Sequence, residues 1–206
     1  MHSMSTLNLT VGPLAMFAFV ASITPGPNNL LLMRSGAAFG IRRTLWHVLG
    51  VEIGFAGLIV LSHLGIGVLL LALPGAFFVL RWGCLAYLVW LAWLILRDAG
   101  SRDATTADAA GRPMRCSEAA LFQLINPKAW MMTITIASAF YGGAVPSNWD
   151  LGLAIFVSVA IGMPCVLVWA AWGAAIDQVL TQPKARQLFS YVMALMVIGS
   201  ATWMVR

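Results

Sequence analysis

Two segments, Thr24-Pro25-Gly26-Pro27-Asn28 and Asn126-Pro127-Lys128, place helix-breaking and polar residues inside highly apolar runs, and Glu52 places a carboxyl inside another. Proline lacks the N–H that an internal helical turn requires, its ring clashes with an earlier carbonyl, and it drives the preceding residue out of the α region. A helix can restart at such a point, because proline suits the first helical position and Thr or Asn suits the cap before it. Thr24-Pro25 and Asn126-Pro127 both have that cap-then-proline order. Each break should therefore set the carboxyl end of one half-helix beside the amino end of another. The exposed N–H groups carry partial positive charge and suit a carboxylate. The freed carbonyls, with Asn28, Asn29 and Asn126, suit an ammonium group or a proton relay. Opposed dipoles side by side describe a seat for a zwitterion, and the expected substrate-binding set is Thr24, Pro25, Gly26, Pro27, Asn28, Asn126, Pro127 and Lys128.

The elements that must hold these residues follow from composition. Of 206 residues, 61% are hydrophobic and 9% charged, and the mean hydropathy is +0.88. A water-soluble domain of that make-up would lack the polar surface to cover itself. The expected class is an all-α, polytopic membrane protein. Apolar stretches of about 18 residues or more read as spanning helices, since about 20 residues cross the hydrocarbon core. Six spans are expected, at Val11 to Met33, Leu45 to Leu73, Phe77 to Leu96, Ala119 to Tyr141, Leu151 to Ile176 and Leu188 to Val205. The polar segment "RDAGSRDATTADAAGRPMRCSE" between the third and fourth has nothing to pack. The chain reads as a single membrane domain, 1–206, with 1–97 as a first three-helix half, 98–117 as a cytoplasmic loop and 118–206 as a second half. Three is odd, so the second half enters the membrane in the opposite sense, and the result is an inverted 3+3 repeat with broken helices 1 and 4.

The formal charge of +5 is topological rather than a nucleic-acid footprint. Arg34, Arg42 and Arg43 follow span one, Arg97, Arg102, Arg112 and Arg115 follow span three, and Lys184 and Arg186 follow span five. Under the positive-inside rule these loops are cytoplasmic and both termini lie outside the cytoplasm. The same residues attract anionic lipid headgroups. A cleaved signal peptide is not expected, because "PLAMFAFVASI" lacks a basic n-region and a clear A-x-A site. Cys84, Cys116 and Cys165 have neither a disulfide nor a zinc spacing and read as soft packing residues.

Ionisable residues at depth in a membrane are functional by default. A partly desolvated carboxyl at Glu52 is expected to exchange protons near neutral pH and to couple transport to them. The alternatives are that Glu52 snorkels or pairs with an arginine. Arg81, near the outer edge of span three, reads as snorkelling outward, whereas Lys128 is the cation to set on the substrate or proton path. Pro164, in "IGMPCVL", has no flanking cap and reads as a simple kink. Gly36-x-x-x-Gly40 and Gly50-x-x-x-Gly54, followed by Gly57, let backbones approach closely and permit a homodimer.

The segments "SITPGPNNLLLMRSGAAFGIRR", "HVLGVEIG", "LRWGCLAYLVWLAW" and "LINPKAW", in that order, resemble the LysE/RhtB family of bacterial amino-acid exporters. The resemblance covers most of the first four spans, and Pro25, Gly26, Pro27, Asn126, Pro127 and Lys128 fall on its motif positions. It implies a protein of the bacterial inner membrane that moves amino acids or close derivatives outward and draws on the proton gradient. Ala92 stands where the family motif has glycine, and spans five and six match much less well. No H-E-x-x-H, G-x-S-x-G, paired intramembrane aspartates or clustered His/Cys ligands occur, so an enzyme lacks its parts and neither a metal nor another cofactor is expected. The expected function is a secondary transporter with substrate between broken helices 1 and 4. A passive channel for small polar solutes is the alternative, disfavoured because no ring-forming motif repeats.

Overall fold

A computed structural model describes residues 4–97, 112–140, 147–179 and 182–205. It contains helices α1 (Met4–Ile23), α2 (Pro27–His63), α3 (Ile66–Ala72), α4 (Pro74–Arg97), α5 (Cys116–Ile125), α6 (Pro127–Phe140), α7 (Asn148–Val179) and α8 (Pro183–Val205). No strand occurs among the described residues. Most of the expected loop, 98–111, lies outside the described residues, as does Tyr141 at the expected end of span four.

Local chemistry sets the helix ends. The first expected span is divided between α1 and α2, with Gly26 as the extended cap of α2 and Pro27 opening it. α2 is two helical stretches joined at a kink at residue 40, where Gly40 takes φ +75°. The second expected span is not continuous to Leu73: α2 stops at His63, Gly65 takes φ +84°, and the chain turns into α3. Gly65 donates its backbone N–H to Ser62 O at 3.0 Å, which closes that turn. α7, by contrast, runs through Pro164 without ending.

Small residues decide which helices touch. A Cβ on Gly36 of α2 would collide with the Ala170 carbonyl of α7, and a Cβ on Gly173 of α7 would collide with the Met33 carbonyl of α2. The two backbones are therefore in direct contact, each using its own glycine. Gly50 and Gly54 play the same part against α5, meeting the Cys116 and Ala120 carbonyls respectively. Gly40 and Gly57 have nothing within 4 Å of a Cβ position, so the expected glycine face is only partly used in packing.

Two apolar clusters flank a polar layer. Leu30, Met33, Val48, Val51, Phe122, Val166 and Trp169 belong to one, and Leu14, Phe55, Leu58, Trp130, Ile134, Ala154 and Val157 to the other. Along each contributing element, the polar positions lie between the two sets: 24–29 where α1 gives way to α2, Glu52 on α2, 123–128 across α5 and α6, and Ser158 on α7. Large apolar side chains point outward, among them Trp46, Val79, Phe156 and Leu195, each more than 60% exposed. α2 and the Asn148–Ile176 part of α7 are by themselves long and apolar enough to cross a bilayer.

Candidate functional site

A helix end leaves its last carbonyls without backbone partners, and at α1 side chains from other helices fill them. Asn29 Nδ2 donates to Ser22 O at 2.7 Å and to Thr24 O at 2.8 Å. Trp169 Nε1 donates to Ile23 O at 3.2 Å, and Thr24 Oγ1 donates to Ala21 O at 3.0 Å. Lys128 Nζ donates to Thr24 O at 2.9 Å, to Thr24 Oγ1 at 3.0 Å and to Pro25 O at 3.2 Å. A cation at a helix carboxyl end is favoured by the helix dipole as well as by these bonds. Two sequence expectations are corrected here. The carbonyls of this break are not left for an incoming ammonium, since Lys128 supplies one from within the chain. Thr24 does not cap the restarted helix, because the second proline moves the restart on to Pro27 and leaves Thr24 at the carboxyl end of α1. Gly26 lies against the lysine: a Cβ there would come within 2.9 Å of Lys128 Cδ.

At the second break the cap-then-proline order is realised. Asn126 Oδ1 accepts the Lys128 backbone N–H at 3.1 Å, ahead of the α6 helix that Pro127 opens. Asn126 also faces Gln123, one turn earlier on α5, which is 1% exposed. Gln123 Nε2 donates to Val51 O at 2.9 Å, and Gln123 Oε1 accepts Asn28 Nδ2 at 2.7 Å and Asn126 Nδ2 at 3.3 Å. A carbonyl only accepts, so Val51 sets which end of the glutamine faces it and thereby the orientation of both asparagines. Gln123 escaped the sequence reading, although a glutamine three positions before Asn126 shares its helical face.

These groups enclose a cavity with about 470 Å³ of empty space, part of it open to solvent. Of the expected residues, Gly26, Pro27, Asn28, Glu52, Asn126 and Lys128 line it; Thr24, Pro25 and Pro127 do not. Thr24 and Pro25 accept hydrogen bonds from the Lys128 ammonium, and Pro127 is buried at the start of α6. Ser22, Asn29, Phe55, Gln123, Ser158 and Gly162 complete much of the wall. Gly162 makes room for the carboxyl of Glu52, since a Cβ there would sit 3.2 Å from Oε1 and 3.3 Å from Oε2. Glu52 is 5% exposed and, among the described residues, makes no ion pair, so it neither snorkels nor meets an arginine. His47 is buried but does not line the cavity.

Three polar atoms around the cavity are buried without a hydrogen-bond partner among the described residues: Asn28 Oδ1, Glu52 Oε2 and Ser158 Oγ. A buried polar atom left unpaired costs about 1–3 kcal/mol, so three around one hollow call for an explanation.

Comparison with known proteins bears on this hollow. The family described as LysE type translocator matches residues 19–206. A protein of Escherichia coli named cysteine/O-acetylserine efflux protein is 30% identical over 188 residues, covering 90% of this chain and 92% of that protein. Proteins of the same name from Escherichia coli strain K12 and Shigella flexneri are 29% identical over the same shares of each chain. No solved structure matches the chain with significance.

Proposed function

The chain belongs to the LysE type translocator family, and on that premise we propose that it exports a small amino acid or close derivative across the bacterial inner membrane, coupled to protons through Glu52. It is a membrane transporter and not an enzyme. The proposed architecture is six spans in two inverted halves, 1–97 and 118–206, joined by a cytoplasmic loop, with both termini outside the cytoplasm. The substrate site lies near the bilayer midplane between the interruptions at Thr24 to Pro27 and at Asn126.

One observation carries the reading: the two interruptions and Glu52 border a single cavity, flanked by an apolar cluster on either side. Irregular backbone at membrane depth is tolerated where it is buried in protein or lines a wet cavity, and in secondary transporters it marks the substrate site. The carboxylate of the substrate would lie near the first turn of α2, whose N–H groups follow Gly26, with the positive charge of Lys128 alongside. Glu52 is the carboxyl of this cavity, and a proton it carries inward would be the one exchanged for substrate. The names of the relatives support small, uncharged side chains as the substrate class.

Counterflow in proteoliposomes tests the proposal. Internal unlabelled O-acetylserine or cysteine should accelerate uptake of the labelled compound, and an imposed pH gradient should drive net movement. Conductance without counterflow would favour a channel, and no movement of any small amino acid would overturn the assignment.

A further inference from the structure

Resting on that reading, we propose that the substrate's α-ammonium group is seated by Asn28 Oδ1, Ser158 Oγ and Glu52, and that Gln123 is the positioning residue that turns the Asn28 amide for this purpose.

The three N–H bonds of the Lys128 ammonium go to Thr24 O, Thr24 Oγ1 and Pro25 O. The amide N–H groups of Asn29 that are used go to the Ser22 and Thr24 carbonyls, and those of Gln123 and Asn126 to Val51 O and Gln123 Oε1. The polar donors of the wall are thus directed at the ends of helices or at one another. What is left over can accept N–H groups. Asn28 Oδ1 and Glu52 Oε2 are acceptors, Ser158 Oγ can accept, and none has a partner among the described residues. Glu52 is 5% exposed and Ser158 2%.

Asn28 could relieve its own unpaired oxygen by rotating its amide, and the structure forbids this. Rotation would set Oδ1 against Gln123 Oε1, two acceptors at the 2.7 Å now spanned by a hydrogen bond. Gln123 cannot rotate in turn, because its Nε2 is committed to the Val51 carbonyl at 2.9 Å. The chain Val51 O, Gln123, Asn28 therefore holds an acceptor at the cavity that no described protein group fills. A guest that fills it together with its neighbours must bring several N–H donors and positive charge, to suit a carboxylate and two neutral oxygens. A primary ammonium has three donors on one atom. A carboxylate or an acyl oxygen would face the Glu52 carboxylate and Asn28 Oδ1 with only the Ser158 O–H to receive it, so the seat orients the substrate as well as binding it. Gly162 leaves the Glu52 face open to this group, where any side chain would intrude.

The test uses two isomers, O-acetylserine and N-acetylserine, which carry the same acetyl group but differ in whether nitrogen is a free ammonium. Counterflow is measured at mildly acidic pH, where the amine stays protonated and does not capture the acetyl group. For the wild-type protein, N-acetylserine should compete at least about a hundredfold less well, as expected when buried acceptors lose their donors. Ser158→Ala should raise the KM for O-acetylserine about tenfold with Vmax within about twofold, the loss of one hydrogen bond to a charged group. Gln123→Leu should collapse the preference between the isomers. Gln123→Glu should retain it, since a protonated carboxyl can donate to Val51 O and accept from Asn28. Equal competition by the two isomers while O-acetylserine is transported would overturn the ammonium seat and leave the exporter standing. A preference unchanged in Gln123→Leu would overturn the positioning role. Absence of any small-amino-acid counterflow in the wild type would overturn the exporter and the seat together.

Discussion

The ammonium of Lys128 lies 2.9 Å from the carbonyl oxygen of Thr24, a bond between residues 104 positions apart that ties the first turn of α6 to the residue just past the end of α1. It makes each helix interruption the partner of the other: the helix restarted at Pro127 delivers the cation that closes the helix ended before Pro25. Replacement of Lys128 by methionine keeps a long apolar stem but leaves Pro25 O without its donor. Loss of about 1.5–3 kcal/mol is expected, the value of hydrogen bonds to a charged group. Chemical or thermal unfolding in detergent should register it, together with loss of counterflow; wild-type stability would show that the contact is incidental.

The paired glycines of α2 and α7 differ from those that meet nothing, such as Gly57. Gly173→Val would force a side chain into the Met33 carbonyl, so a destabilisation of about 1–3 kcal/mol from overpacking is expected. Gly57→Ala meets nothing within 4 Å. It should be neutral or stabilising by up to about 1 kcal/mol, because alanine loses less backbone freedom in a helix. Unfolding midpoints of the two variants should move in opposite directions or only the first should move.

At Gly40 the limit is the backbone. A Cβ there would touch nothing, yet φ is +75°. Gly40→Ala should lose about 1–2 kcal/mol from the left-handed conformation alone. If the variant equals wild type in unfolding experiments, the turn does not require that conformation.

Glu118, just ahead of the expected fourth span, accepts two bonds from the Arg112 guanidinium, at 2.6 and 2.8 Å, and one from the Arg115 backbone N–H at 2.8 Å. The Arg112 hydrogen bond above all, with help from Arg115, holds its carboxyl down at about 2 against an ordinary 4.5. A depressed folded value means the contribution is complete above about pH 4.5 and fades as pH falls toward 2. The carboxylate is 40% exposed, so solvent screening keeps the effect to under about 1 kcal/mol. Glu118→Gln should lie below wild type in stability at pH 6 and converge with it near pH 2. A gap that persists unchanged to pH 2 would contradict the pairing.

Glu52→Gln removes the carboxyl proposed to carry the coupling proton while preserving its size. Counterflow, which needs no net proton movement, should persist at reduced affinity, whereas uphill transport driven by a pH gradient should be lost. Uphill transport with an unaltered pH profile would exclude Glu52 from coupling.

Much of this protein was legible in one dimension because the relevant physics is local. Composition alone demanded a lipid environment, and the prolines at 25, 27 and 127 marked the two interruptions, with Pro27 and Pro127 each opening a helix. Asn126 capped α6 as its order with Pro127 implied. A local S-x-x-D signal also stood unread at Ser147 and Asp150, whose side chains bond at 2.7 Å at the start of α7. Local reasoning failed where two local signals competed: with Pro25 and Pro27 both present, the helix restarted at the later one and Thr24 became an end rather than a beginning.

Tertiary structure alone decided which side chains fill the exposed carbonyls, and which polar atoms are left over. Lys128 reaching Thr24, Gln123 reaching Val51 and Asn28, and Gly162 clearing space at Glu52 all join residues far apart in the chain. The helices are apolar on nearly every side, so no periodic pattern marks the face that turns inward. That choice falls to close contact between glycine-bearing backbones, and with it the composition of the cavity.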